Sequence, residues 1–153
     1  MITLGEVVPY QQKQGYSCSA ATLLAVLRHY GITQYTEQTL TPIIGLTSNG
    51  AWPHQIVAAA QSLGLKAAEL TFSFGLAKRY VDAGVPVIAE VASWNHQGLG
   101  HFVVVAGVGP EIQIMDPNTP GNWRSLSRAE MAQRWGSHAW RGVVVLPPQG
   151  AFL

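Results

Sequence analysis

Gln12-Lys13-Gln14-Gly15-Tyr16-Ser17-Cys18-Ser19-Ala20-Ala21 runs directly into the most apolar stretch of the chain, and the reading of this junction decides the fold. From Ser17 to Tyr30 apolar side chains recur on nearly every face, through Ala20, Ala21, Leu23, Leu24, Val26 and Leu27, and the run stops at Gly31. This pattern predicts a central, buried helix closed by a C-terminal glycine. Cys18, the single cysteine, then stands at the helix N-terminus. Unpaired backbone N–H groups there carry partial positive charge and favour thiolate, the form that attacks carbonyls. Two uses follow: a nucleophile if a base stands near, or a small buried apolar side chain if none does.

Composition narrows the setting. The chain has 153 residues, 48% hydrophobic and 11% charged, which predicts one globular domain over residues 1–153 with a sizeable core and no disordered tail. The net charge is +1 and the nine basic residues are scattered. No stripe of cations exists to neutralise phosphates, so no nucleic-acid partner is expected. One cysteine makes no internal disulfide, which points to a reducing compartment. The N-terminus lacks the pattern of a secretory signal, and apolar runs such as Val85 to Ala89 and Phe102 to Val108 are too short to span a bilayer. A cytoplasmic protein without membrane insertion is expected, with export by a signal-independent route left open.

Working outward, the punctuation predicts further helices at His54–Leu63, entered through Pro53 and ended by Gly64, and at Leu76–Ala83, ended by Gly84. Glu37 to Ile44 stays ambiguous because Pro42 interrupts it. Lys66–Phe72 alternates weakly as a strand, and Val85–Val91, His101–Val108, Ile112–Asp116 and Gly142–Leu146 carry the Val and Ile runs of buried strands. Ser127-Arg128-Ala129-Glu130 reads as a capping box, with Leu126 and Met131 as a hydrophobic staple, so Ser127–Trp135 is a helix. Helices first and an antiparallel sheet afterwards make an α+β domain, with the cysteine-bearing helix packed on the sheet.

That layout brings two polar residues into play. His101 and Asp116 lie on successive strands joined through Val108-Gly109-Pro110-Glu111. A two- or four-residue loop centred on Gly109-Pro110 sets Asp116 opposite Val103 and His101 opposite Asn118. The two are then diagonal neighbours on one face, roughly 7 Å apart at Cβ, within reach of an imidazole–carboxylate bond. A three-residue loop would turn one of them to the other face. The plain alternatives are a strand-end histidine and an Asp-Pro turn opener.

Taken together, these pieces resemble papain-like cysteine peptidases, and most closely the bacteriocin-processing, double-glycine leader peptidases. The matching features are Gln12 six positions before Cys18, Ala20 and Ala21 after it, Gly31 at the helix end, the strand Gly100-His101-Phe102-Val103-Val104-Val105, and Asp116-Pro117 before Gly121. They extend from Val8 to about Leu146. The resemblance implies a papain-like fold with Cys18 as nucleophile, His101 as general base and acid, Asp116 as its orienter, and Gln12 as an oxyanion donor beside the Cys18 backbone N–H. It also implies hydrolysis of a peptide or protein through a thioester, without a cofactor. The chain departs from the family pattern at Ser17 and Ser19-Ala20, where many members have Asp and Gly-Pro. Members usually front a membrane transporter, whereas this chain ends at Leu153 without membrane spans and is expected to stand alone.

A looser resemblance is to papain-like effectors that bacteria deliver into other cells, for which an inhibitor or immunity protein would be a partner. Acyl transfer and deamidation use the same thioester, and a peptide-binding module without catalysis is the non-enzymatic alternative. Trp94, His96 and Gly100, in or beside the loop before His101, are the expected substrate-binding residues. His29, His54 and His138 lack ligand spacing, so no metal site is expected. Gly15 is expected to make a tight turn that only glycine permits, bringing Gln12 over the helix start.

Overall fold

The computed structural model describes residue 7 and residues 10–94, 100–119 and 121–153. Within them lie helices α1 (Cys18–His29), α2 (Glu37–Ile44), α3 (Pro53–Ser62), α4 (Phe74–Asp82) and α5 (Arg128–Gly136). The strands are β1 (Ala67–Thr71), β2 (Val87–Ala92), β3 (Gly100–Val108), β4 (Glu111–Met115), β5 (Trp123–Ser127) and β6 (Arg141–Val145). The strands form one antiparallel sheet in the order β1-β6-β2-β3-β4-β5. This is the α+β architecture the sequence predicts.

Every residue of α1 from Cys18 to Leu27 is buried, as its all-round apolar pattern requires, and the helix packs on β3. It ends where Gly31 takes a positive φ of 79°, and the Ile32 N–H returns to the Leu27 carbonyl. In β2 and β3 consecutive residues are buried, and because neighbours in a strand point to opposite faces, both faces of the sheet centre are covered. α1 and α3 lie on the sheet together, while α4 and α5 share an aromatic cluster in which Phe72 stacks on Trp135 at 5.5 Å and meets Tyr80 edge-on at 6.3 Å.

Two elements depart from the sequence reading. The ambiguous Glu37–Ile44 segment is helical despite Pro42, because the carbonyl that Pro42 leaves without a helical donor belongs to exposed Gln38 and faces water. Thr36 and Thr39 cap it reciprocally. β5 was not expected, since as an edge strand it buries only Leu126 and carries no apolar alternation. The Ser127 hydroxyl caps α5 by accepting from the Glu130 N–H at 3.1 Å, but the Glu130 carboxylate turns instead to Trp94 and Arg134, so half of the expected box is made.

The β3–β4 turn differs as well. Val108 pairs with Ile112, which leaves Gly109, Pro110 and Glu111 as a three-residue connection. That connection alone would set His101 and Asp116 on opposite faces. A β-bulge at Ala106, between the pairs Val105–Ile114 and Gly107–Gln113, inserts one residue and restores the Val104–Met115 register on the far side. The two polar residues therefore share a face for a reason the turn does not supply.

Candidate active site

Cys18 is the first residue of α1 and is buried. Ser17 occupies the N-cap, yet its side chain caps no N–H of the helix. The Ser17 hydroxyl donates instead to Glu37 Oε1 at 2.6 Å, so the first turn of α1 keeps its amides free of a side-chain acceptor. His101 follows Gly100 at the start of β3 and pairs with Val91 of β2. Asp116 follows β4 directly, with its N–H bonded to the Asn122 carbonyl at 2.7 Å.

The three side chains meet. His101 Nε2 lies 2.7 Å from Asp116 Oδ1, with both residues buried. Cys18 also acts on the His101 ring, raising its pKa from the start of α1. Burial by itself would lower the imidazole pKa, but the hydrogen bond and charge of Asp116 and the interaction with Cys18 raise it to about 9. Burial would likewise raise the Asp116 pKa, and the bonds from His101, Thr119 and the Asn118 N–H bring it down to about 2. At neutral pH the imidazole is therefore a cation held between a carboxylate and a sulfur.

Asp116 is itself tightly held. Oδ1 accepts from the Asn118 N–H at 3.0 Å, and Oδ2 accepts from Thr119 Oγ1 at 2.6 Å and Arg124 Nε at 3.2 Å. The Arg124 guanidinium lies 4.4 Å from the Trp94 ring centroid, and Arg134 lies 4.2 Å from it, so Trp94 stacks between two cations. Asn118, Thr119 and Arg124 were missed by sequence reasoning. The Asp-Pro-x-Thr order was a usable signal for the first two, because an aspartate opening a turn accepts from the backbone two residues on. Arg124 lies on the unforeseen edge strand.

Gln12 is buried in the loop before α1, where its N–H donates to the Pro117 carbonyl at 2.8 Å and ties this loop to the Asp116 turn. Its side-chain Nε2 donates to the Gln14 carbonyl at 2.6 Å, while Oε1 is buried without a hydrogen bond. Trp94 lies beside the dyad, where Ser93, Asn118, Thr119 and Arg124 close a small polar recess over His101 and Asp116. A Cβ at Gly100 would come 3.0 Å from Glu90 Oε2 and 3.2 Å from His138, so close packing accounts for the glycine. His96 lies outside the described residues. The expectation for Gly15 fails: it has no positive φ and a Cβ there meets nothing within 4 Å, and the turn is closed by the Ser17 N–H donating to the Gln14 carbonyl at 3.2 Å and the Gln14 N–H donating to the Ser17 hydroxyl oxygen at 3.1 Å. Among the described residues no three His, Cys, Asp or Glu converge as metal ligands, and no helix is long and apolar enough to cross a membrane.

Comparison with known proteins gives this constellation a family. The model of the Peptidase C39 family matches residues 6–146. The chain belongs to the Peptidase C39 family. It is a cysteine peptidase of the papain-like class, as the sequence resemblance implied. An uncharacterized protein of Methanothermobacter thermautotrophicus is 37% identical over 65 residues, covering 42% of this chain and 45% of that relative, so the chain spans under half of its length. The solved peptidase domain of Streptococcus ComA, a bifunctional ABC transporter involved in quorum sensing, superposes with a TM-score of 0.79 at 23% identity, covering 92% of this chain and 98% of that one. A double glycine motif protease from an AMS/PCAT transporter, solved with its leader peptide, gives 0.74 at 21% identity, covering 92% and 91%. At these identities the likeness to the solved structures is one of fold, and this C39 peptidase shares it over nearly its whole length.

Proposed function

We propose that Cys18, His101 and Asp116 are the catalytic triad of this C39 peptidase and that Gln12 supplies an oxyanion donor. The observation that carries the reading is the buried His101–Asp116 bond at 2.7 Å, on an imidazole whose pKa Cys18 also raises, with the three side chains drawn from separate elements. The Cys18 thiolate attacks the scissile carbonyl carbon, forming a C–S bond and placing negative charge on the carbonyl oxygen. The Cys18 N–H and the second N–H of the Gln12 side-chain amide receive that charge. The His101 cation gives its proton to the departing amine as the C–N bond breaks, leaving a thioester. Neutral His101 then takes a proton from water as its oxygen attacks, and the thiolate leaves with release of the carboxylate product. Asp116 holds the ring and stabilises its cation throughout.

The substrate class proposed is a peptide presenting a Gly-Gly pair before the scissile bond, because one of the similar structures is a double glycine motif protease. The test uses internally quenched peptides with Gly-Gly or bulky residues at that place, together with iodoacetamide labelling of Cys18 read by intact mass. The reading expects cleavage after Gly-Gly, abolished in Cys18→Ala, and labelling at pH 6 much faster in wild type than in His101→Ala. Equal labelling of the two proteins would overturn the triad. Altered glutamine or acyl transfer without cleavage would overturn hydrolysis while keeping the nucleophile.

A further inference from the structure

Among the described residues, Glu37 is a buried acid that the proposed chemistry does not use. Its residue is 4% exposed, and it stands at the first position of α2, where the helix N-terminus favours a negative charge. Its side-chain bonds among the described residues go to the segment before Cys18. Its two carboxylate oxygens accept from the Lys13 N–H, each at 3.2 Å, and Oε1 accepts from the Ser17 hydroxyl at 2.6 Å. The Ser17 oxygen in turn accepts from the Gln14 N–H at 3.1 Å, and the Gln14 carbonyl holds Gln12 Nε2 at 2.6 Å. A continuous chain of donors and acceptors thus runs from Glu37 to the side-chain amide of Gln12.

We propose that Glu37 is a positioning residue that sets the oxyanion donors of this peptidase, framing Gln12 and keeping the first turn of α1 uncapped. The proposal rests on the reading of Cys18 and Gln12 given above. Three features carry it. One N–H of the Gln12 amide is spent on Gln14, which fixes the amide plane and leaves the other for an oxyanion. The Ser17 hydroxyl, which at an N-cap would ordinarily accept from the second or third N–H of the helix, is drawn away by the carboxylate. The loop is pinned from its other side by the Gln12 N–H to Pro117 and by Asn122 Nδ2 to Gln11 Oε1 at 3.0 Å, so Glu37 sets the remaining freedom of Gln12 relative to Cys18. Glutamine at position 37 keeps the shape but turns an amide donor towards the Lys13 N–H in place of Oε2, so that N–H keeps one of its two acceptors and meets a donor at the other.

Two small reagents separate the effect from a structural one. Iodoacetamide alkylates a thiolate by displacing iodide at a saturated carbon and develops no oxyanion. p-Nitrophenyl acetate acylates it through a tetrahedral oxyanion, releasing p-nitrophenolate and leaving an acetyl thioester that water hydrolyses. In Glu37→Gln, alkylation is expected to stay within about twofold of wild type from pH 6 to 9, while acylation falls roughly tenfold to a hundredfold. Ser17→Ala is expected to lose acylation in the same selective way, and Glu37→Gln combined with Gln12→Ala to lose no more than Gln12→Ala alone. Unchanged acylation, an equal fall with both reagents, or an additive double variant would overturn the proposal. So would a Glu37→Gln protein that does not fold beside a Ser17→Ala protein that folds and acylates normally. Should wild-type alkylation be no faster than that of His101→Ala, the triad reading itself falls, and Glu37 with it.

Discussion

A single imidazole carries most of the chemistry here, and its neighbours decide its charge. His101 is raised to about 9 against the opposing effect of burial, and Asp116 is lowered to about 2, so the pair is ionised over the whole neutral range. Asp116→Asn removes the charge that balances the imidazolium while keeping the shape, and should lower turnover of a cleaved peptide on the order of 10³- to 10⁴-fold, measured as kcat. The same variant should melt lower, because Thr119, Asn118 and Arg124 all converge on the carboxylate and would face an amide instead. A kcat for Asp116→Asn within tenfold of wild type would assign this carboxylate to the turn alone. His101 and Asp116 were legible in the sequence because strand alternation and an Asp-Pro turn mark them. Glu37 was not, since a glutamate opening a helix ordinarily faces solvent and only the packing of α2 beside the Cys18 loop buries it.

Among the elements, the β3–β4 hairpin decides whether the dyad exists at all. Its three-residue turn and its bulge at Ala106 each shift the pairing by one residue, and the two shifts cancel where His101 and Asp116 lie. Deleting Ala106 should remove the bulge, turn His101 or Asp116 to the opposite face, and abolish both peptide cleavage and rapid alkylation of Cys18, with far-ultraviolet dichroism preserved. Wild-type alkylation in that deletion would show that the sheet re-forms the bulge elsewhere. The register expected near the site is the one the protein has, although it was expected from a two- or four-residue loop and the connection has three residues. Gly107, a lone glycine inside a strand run, is compatible with a bulge, but which residue is left unpaired is chosen by the pairing of both strands and the burial of their shared face. α1 is the opposite case, since its apolar run and terminal glycine specify it locally.

For the whole molecule, ionisation of the dyad is linked to folding. A histidine whose pKa is raised from 6.5 to about 9 contributes stability that is complete below about pH 6.5 and is lost as pH rises through 9. An aspartate lowered from 3.8 to about 2 contributes stability present above 3.8 and lost as pH falls towards 2. Melting temperature should therefore decline between pH 7 and 10 in wild type more steeply than in His101→Ala, and matching slopes would contradict the charged dyad. The sequence by itself determined the α+β class, the buried helix with Cys18 at its mouth, most of the strands and three of the residues that meet there, because hydrophobic periodicity and turn chemistry are local properties of the chain. Only the tertiary structure decided the edge strand β5, the bulge that aligns His101 with Asp116, the clasp of Arg124 on that carboxylate and the hold of Glu37 on the Gln12 loop. Each of these depends on which distant segments share a buried surface, and a polar group there takes whatever partner the packing brings within hydrogen-bond reach.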